Sequence, residues 1–373
     1  MAERRYEYAP ASTLPGLLQR GRGLGALMAA EDPAAAADLV YGCIRWEWRW
    51  DRQVDDRHLY LARLVRDLDL PLGPIVEQLA AAEDTCMRAA RVLELLALDG
   101  STEARDALNA YVQDGEHREL VLESVESMRS MADAPAPTRR TWADPLPERD
   151  SASLLAMLAD PDVPENAKAT ALRALSRRAP EPALIPLVPT LGAADGTCQL
   201  PMLGRAVDVL GEQAVPAARE WATSDRPWLA GLGLVVLAGH GDESDLPTVL
   251  NELERAWVAQ EWCGPDTLAR GLARFGPRAA DAASLLRRFW LWTPHSYERS
   301  AYLEALGALG AAGMDEAYTE SLRDCEANAR LLAVRRAPDG PRVRERLAYL
   351  RDDPMEEPEV REAARVRLAG VTS

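Results

Sequence analysis

The sequence predicts an all-α chain, a curved α-solenoid of helical hairpins stacked one on the next. Three observations predict it. Apolar residues recur at i, i+3, i+4 spacing along nearly the whole chain, the period of helices with one buried face. Gly or Pro interrupts these stripes every 12–18 residues. The interruptions also have a longer period: Gly211, Gly241, Gly276, Gly310 and Gly340 each follow a helical stripe, at intervals of 30, 35, 34 and 30 residues. A unit of that length, holding two short helices, cannot bury its apolar face alone, so neighbouring units share one core.

From the N-terminus, residues 1–32 read as an arm or capping helix, because a terminal repeat otherwise leaves one face bare. Asp32 followed by Pro33 is a helix start, an N-cap and a first-turn proline. The helix it opens carries Leu39, Val40 and Cys43 on one stripe and extends that stripe to Trp46 and Trp50. Further stripes appear at Leu61, Leu64, Val65 and Leu68, and at Met87, Ala90, Leu93 and Ala97. Residues 33–130 therefore form a first set of degenerate repeats. Residues 131–150, MADAPAPTRRTWADPLPERD, have no apolar stripe and read as a linker or long loop. Residues 151–373 form the second set, with Pro227, Pro247, Pro265, Pro277, Pro294 and Pro341 near helix starts.

The second set carries a resemblance to a known family. Asp160-Pro161-Asp162-Val163, then Ala167, Ala171-Leu172, Leu175, Ala179, Ala183-Leu184 and Leu187, resembles a HEAT-like repeat. Asp353-Pro354, then Glu359-Val360-Arg361-Glu362-Ala363-Ala364 and Leu368, resembles the first helix of another. The likeness is to the short bacterial type named after phycobilisome lyases. It implies a fold and no particular chemistry, because that repeat serves unrelated tasks.

Composition narrows the function. The 373 residues are 47% hydrophobic and 27% charged, the balance of a folded chain. Net charge is −16, and residues 1–130 and 131–373 each contribute −8. So acidic a surface repels phosphate backbones and anionic membranes, so nucleic acid and membrane are not the expected partners. Five widely spaced cysteines, with no apolar leader in MAERRYEYAP, predict reduced thiols and a cytoplasmic location. His58, His117, His240 and His295 are isolated, there is no Cys-x-x-Cys, and Gly21-Arg22-Gly23-Leu24-Gly25 follows no strand. No metal, cofactor or catalytic motif is expected.

Two aromatic stretches are the candidate sites. IRWEWRWD, residues 44–51, holds three of the ten tryptophans. Trp46 and Trp50 are assigned to the core, leaving Arg45, Glu47, Trp48 and Arg49 as a contact patch. RRFWLWTPHSYERS, residues 287–300, places Phe289 in the core and offers Trp292, His295 and Tyr297 as a second patch. Trp, Tyr and Arg are over-represented at binding hot spots. The expected function is a non-catalytic scaffold whose concave face binds a protein or peptide, with a basic segment suited to the acidic chain. The competing enzyme reading is suggested by resemblance to HEAT-like alkylpurine DNA glycosylases, for which Trp46, Trp50 and Asp51 are the local grouping of matching composition.

Overall fold

The computed structural model describes residues 8–46, 57–122, 125–126 and 144–370. Glu47, Trp48, Arg49, Trp50 and Asp51, and most of the 131–150 stretch, lie outside the described residues. Among those described, all regular structure is helical, and the one extended pairing is an isolated bridge between Gly192 and Gln199. No helix among them is long and apolar enough to cross a membrane. The chain divides into two compact units that are not contiguous in sequence. The first comprises Met1–Ala136, Arg287–Glu304 and Ala311–Ser373, and the second Pro137–Leu286 with Ala305–Gly310.

The first unit opens with α1 (Leu14–Gln19), α2 (Gly23–Glu31) and α3 (Pro33–Arg45). Local chemistry sets their starts. Thr13 Oγ1 accepts from Gly16 N–H at 3.3 Å, and Asp32 accepts from Ala35 N–H at 3.1 Å ahead of Pro33. Then follow α4 (Arg57–Asp67), α5 (Gly73–Gln78), α6 (Glu83–Leu98) and α7 (Thr102–Asp114). Val40, Ile44, Leu64, Ile75, Cys86 and Leu93 pack as one core. Cys325 and Met355 belong to the same core, although they come from the far end of the chain.

The expected continuation of α3 through Trp50 is corrected at Trp46. The helix stops at Arg45, and Trp46 takes an extended conformation (φ −110°, ψ 140°). Its side chain is 41% exposed instead of buried in the core. The reason is on α6. Arg88 donates to the carbonyls of Ile44 at 2.8 Å and Arg45 at 2.7 Å, and Thr85 donates to Arg45 O at 3.1 Å. These side chains satisfy the last helical carbonyls and so end the helix.

Four C-terminal helices complete the first unit: α17 (Met314–Ser321), α18 (Ala327–Arg336), α19 (Pro341–Asp352) and α20 (Pro358–Gly370). Here α2 packs on both α3 and α17. Gly21, at φ +66°, presents its carbonyl to Cys325 N–H at 2.9 Å.

The second unit is built from α8 (Ser151–Ala159), α9 (Glu165–Leu175), α10 (Leu203–Asp208), α11 (Val215–Trp221), α12 (Pro227–His240), α13 (Leu246–Ala259) and α14 (Pro265–Ala273). Pro182–Thr190 between α9 and α10 is a 3-10 helix, since Pro186 and Pro189 inside it lack the N–H groups that an α-helix requires. Helices pair with their sequence neighbours and each pair packs on the next: α8 on α9, α9 on α10, α11 and α13 on α12, and α12 on α14. Of the five recurring glycines, Gly211, Gly276 and Gly310 take left-handed turns, with φ of 58°, 56° and 71°, whereas Gly241 (φ −64°) and Gly340 (φ 176°) do not. The unit boundary falls within α15 (Ala283–Trp292) and α16 (Arg299–Ala308).

Candidate functional site

Helices α10, α12 and α14 of the second unit leave a groove of about 890 Å³ between them, adjoined by a recess of about 300 Å³ that shares Asp208, Val235, Thr267 and Arg270 with it. The floor comes from α12, whose sequence PWLAGLGLVVLAGH holds three glycines, Gly231 and Gly233 in its interior and Gly239 at the second-last position. Gly231, Val235 and Gly239 face the groove, Val235 being 38% exposed. Gly233 serves packing instead: a Cβ there would lie 2.5 Å from Ala222 N and 2.7 Å from Ala218 O of the α11 segment. At Gly231 and Gly239 an added Cβ would meet nothing within 4 Å.

That contrast gives a stability prediction. Gly231→Ala and Gly239→Ala each raise the unfolding free energy by about 0.5–1 kcal/mol, because alanine restores helix propensity without a clash. Gly233→Ala lowers it. Denaturant titration of the three variants checks the ordering, and a loss at Gly231 or Gly239 would refute the open groove.

The groove's walls are polar. Asp208 meets His240 Nε2 at 2.9 Å, and Arg270 pairs with Asp266 at 3.0 Å. Glu252 and Glu261 both grip Arg255, at 2.6 and 2.7 Å. Arg274 donates to the carbonyl of Ala238 at 2.8 Å and to that of Gly241. Two of the five cysteines, Cys198 and Cys263, are exposed at the groove, while Cys43, Cys86 and Cys325 are buried. Burial pushes the Cys43 thiol up to about 12, against the opposing pull of Arg57, and raises that of Cys86 as well.

The described residues singled out from sequence, Arg45, Trp292, His295 and Tyr297, lie elsewhere, in the first unit. Arg45 is exposed and Trp292 is 40% exposed, so both reach the surface. His295 does not, and its assignment to a contact patch is corrected. It is 3% exposed, with Nδ1 3.2 Å from Glu298 Oε1 and 3.1 Å from the hydroxyl of half-buried Tyr297, whose ring stacks on it. Glu298 Oε2 also accepts from Thr293 Oγ1 at 3.0 Å and Tyr302 OH at 2.9 Å. The segment is drawn inward because Arg20 donates to Trp292 O and Arg57 to Pro294 O, each at 3.1 Å.

A second polar centre in this unit is ionic. Arg63 donates to Asp353 at 2.7 Å and Glu356 at 2.9 Å, and Arg330 grips Glu356 at 2.6 and 2.9 Å. All four residues are at most 5% exposed. Arg299, fully buried, clasps Asp324 at 2.7 and 2.9 Å. Closed to solvent, with Arg299 Nη1 the one guanidinium nitrogen among them buried without a hydrogen-bond partner, these pairs hold distant segments together and present no face to a ligand.

Sequence reasoning passed over the groove. The available signal was glycine at interior positions of a strongly apolar helix, where it costs stability and calls for a packing or binding reason. No group of three or more acidic, His or Cys side chains among the described residues could hold a metal ion. Comparison of the sequence with protein-family models and with curated proteins gives no match.

Proposed function

We propose that this chain is a non-catalytic HEAT-like α-solenoid scaffold, and that a protein or peptide partner lies in the groove of α10, α12 and α14. The carrying observation is the floor of α12, where Gly231 and Gly239 face open space on a helix whose third glycine, Gly233, is in tight packing. Stacked helical hairpins expose extended concave surfaces of this kind, and concave sites bury more of a ligand than flat ones.

The two groove cysteines provide the test. The full chain is used as bait in lysate of its host, washed, and alkylated without denaturant. In free bait Cys198 and Cys263 react, while Cys43, Cys86 and Cys325 stay unlabelled. A partner in the groove shields both exposed thiols. A captured protein that leaves both fully labelled removes the groove as the binding surface. Capture of nucleic acid that survives moderate salt would instead favour the glycosylase-type reading, against the charge of −16.

A further inference from the structure

We infer that the occupant of this groove is a partner's α-helix laid along α12 and fixed by a carboxylate at Arg205. The inference rests on the partner-binding reading above and specifies its chemistry.

Charge selects the contact. Each other charged side chain lining the groove is engaged within the protein: Asp208 by His240, Glu252 and Glu261 by Arg255, Arg270 by Asp266, and Arg274 by backbone carbonyls. Arg205 is exposed on the groove wall and pairs with no acid among the described residues. Close to it, the Oε1 atom of Gln199 is buried and accepts no hydrogen bond, while its amide nitrogen lies 3.4 Å from where a Gly204 Cβ would be. A buried acceptor left unsatisfied is costly. A partner carboxylate satisfies the guanidinium, and a small turn of the Gln199 amide toward the groove would bring its buried oxygen within reach of an N–H or O–H beside it. The charge of the whole chain predicts a basic partner segment; the groove's own unpaired cation calls for an acid at this position.

Shape selects the helix. Gly231, Val235 and Gly239 stand at i, i+4 and i+8, a single face about 12 Å long. The i±4 row is the one that a second helix packs against most readily. The unit itself shows the device in use. At Gly271 an added Cβ would be 2.5 Å from the carbonyl of Ala238 on α12, and at Gly233 it would be as close to the α11 segment. Both are places where two helical segments approach too closely for any side chain. Gly231 and Gly239 offer the same approach on the groove side. A second copy of this chain does not fit, since a concave floor cannot meet itself across a two-fold axis.

The experiment places a photo-crosslinking amino acid at Val235 of the full chain, irradiates it in host lysate, and sequences the cross-linked peptide. Thiol protection at Cys198 and Cys263 is read in the same sample. The expected segment has small or apolar residues every three to four positions and an Asp or Glu near the Arg205 end. Arg205→Glu, exposed and so compatible with folding, weakens capture of that protein about tenfold. Gly231→Leu fills the floor and weakens it about a hundredfold. A proline-broken segment, a segment of this chain, no cross-link at all, or unchanged capture by Arg205→Glu overturns the inference. Protected thiols with a non-helical cross-link leave the partner reading standing and sink the helix; unprotected thiols sink both.

Discussion

Arg63→Ala lowers the stability of the first unit by about 3–5 kcal/mol, the cost of leaving a buried carboxylate pair without its cation. The guanidinium is 5% exposed and shared between Asp353 Oδ2 and Glu356 Oε2, at 2.7 and 2.9 Å. Alanine supplies neither charge nor hydrogen bonds, yet folding still strips water from both acids. Arg66 and Arg330 remain on Asp353 and Glu356, at 3.1 and 2.6 Å, so the unit is weakened without being abolished. Arg344→Ala is the control. Its partner Asp339 is half exposed, and removing a solvated pair leaves the unfolding curve unchanged.

The same centre fixes the response to acid. Burial pushes the carboxyls of Asp353 and Glu356 up, but Arg63 and Arg66 on the first and Arg330 and Arg63 on the second outweigh it and hold both below their ordinary values. A depressed folded-state value contributes stability above the unfolded carboxylate range and loses it as pH falls through the folded values. The unfolding midpoint of the native protein is therefore flat near neutrality and declines from about pH 4 downward. Arg63→Ala flattens that decline, because both carboxyls then titrate closer to their unfolded values. A variant with wild-type stability and an unchanged acid limb would show that the contacts contribute nothing.

Gly23→Ala lowers stability by about 3 kcal/mol, the upper end of the usual cost of overpacking. A Cβ at Gly23 would lie 2.0 Å from the backbone oxygen of Glu320 and 2.9 Å from its carbonyl carbon, neither of which can swing aside. The contact is this close because neighbouring Arg22 is fully buried, stacked 4.1 Å from the centre of the Trp290 ring and bonded to Glu320 at 2.6 and 2.9 Å. Arg22-Gly23 is thus a clasp between the start of α2 and α17, with an arginine that bonds and a glycine that permits the approach. Hydrogen exchange locates the effect: in Gly23→Ala, protection falls in Leu14–Glu31 and in Met314–Ser321. Loss spread evenly over the first unit, or none, would contradict the clasp.

Several features follow from the sequence by itself. Helical spacing marks α3, α4 and α6, and the core position of Phe289, fully buried, is legible from Ala282, Leu285 and Leu286 before it. Asp32-Pro33 starts α3, Pro227, Pro265 and Pro341 each begin a helix, and three of the five recurring glycines, Gly211, Gly276 and Gly310, take positive φ. These are local properties: spacing against a 3.6-residue turn, a side chain that caps its own helix, a residue that tolerates positive φ.

Tertiary structure alone decided which faces are covered. Arg63 looks like a solvated helix residue until Asp353, 290 positions away, makes it an interior one. Trp46 fits the apolar stripe but is exposed, because side chains of α6 end α3 one residue earlier. His295 has the composition of a surface patch and is buried, held in by Arg20 beyond α1 and Arg57 of α4. The groove is the converse case: Gly231 and Gly233 are chemically identical neighbours on one helix, separated in role only by whether another helix packs against their face. Periodicity fixes the direction of a side chain relative to its own helix, whereas burial depends on what the rest of the chain brings to meet it.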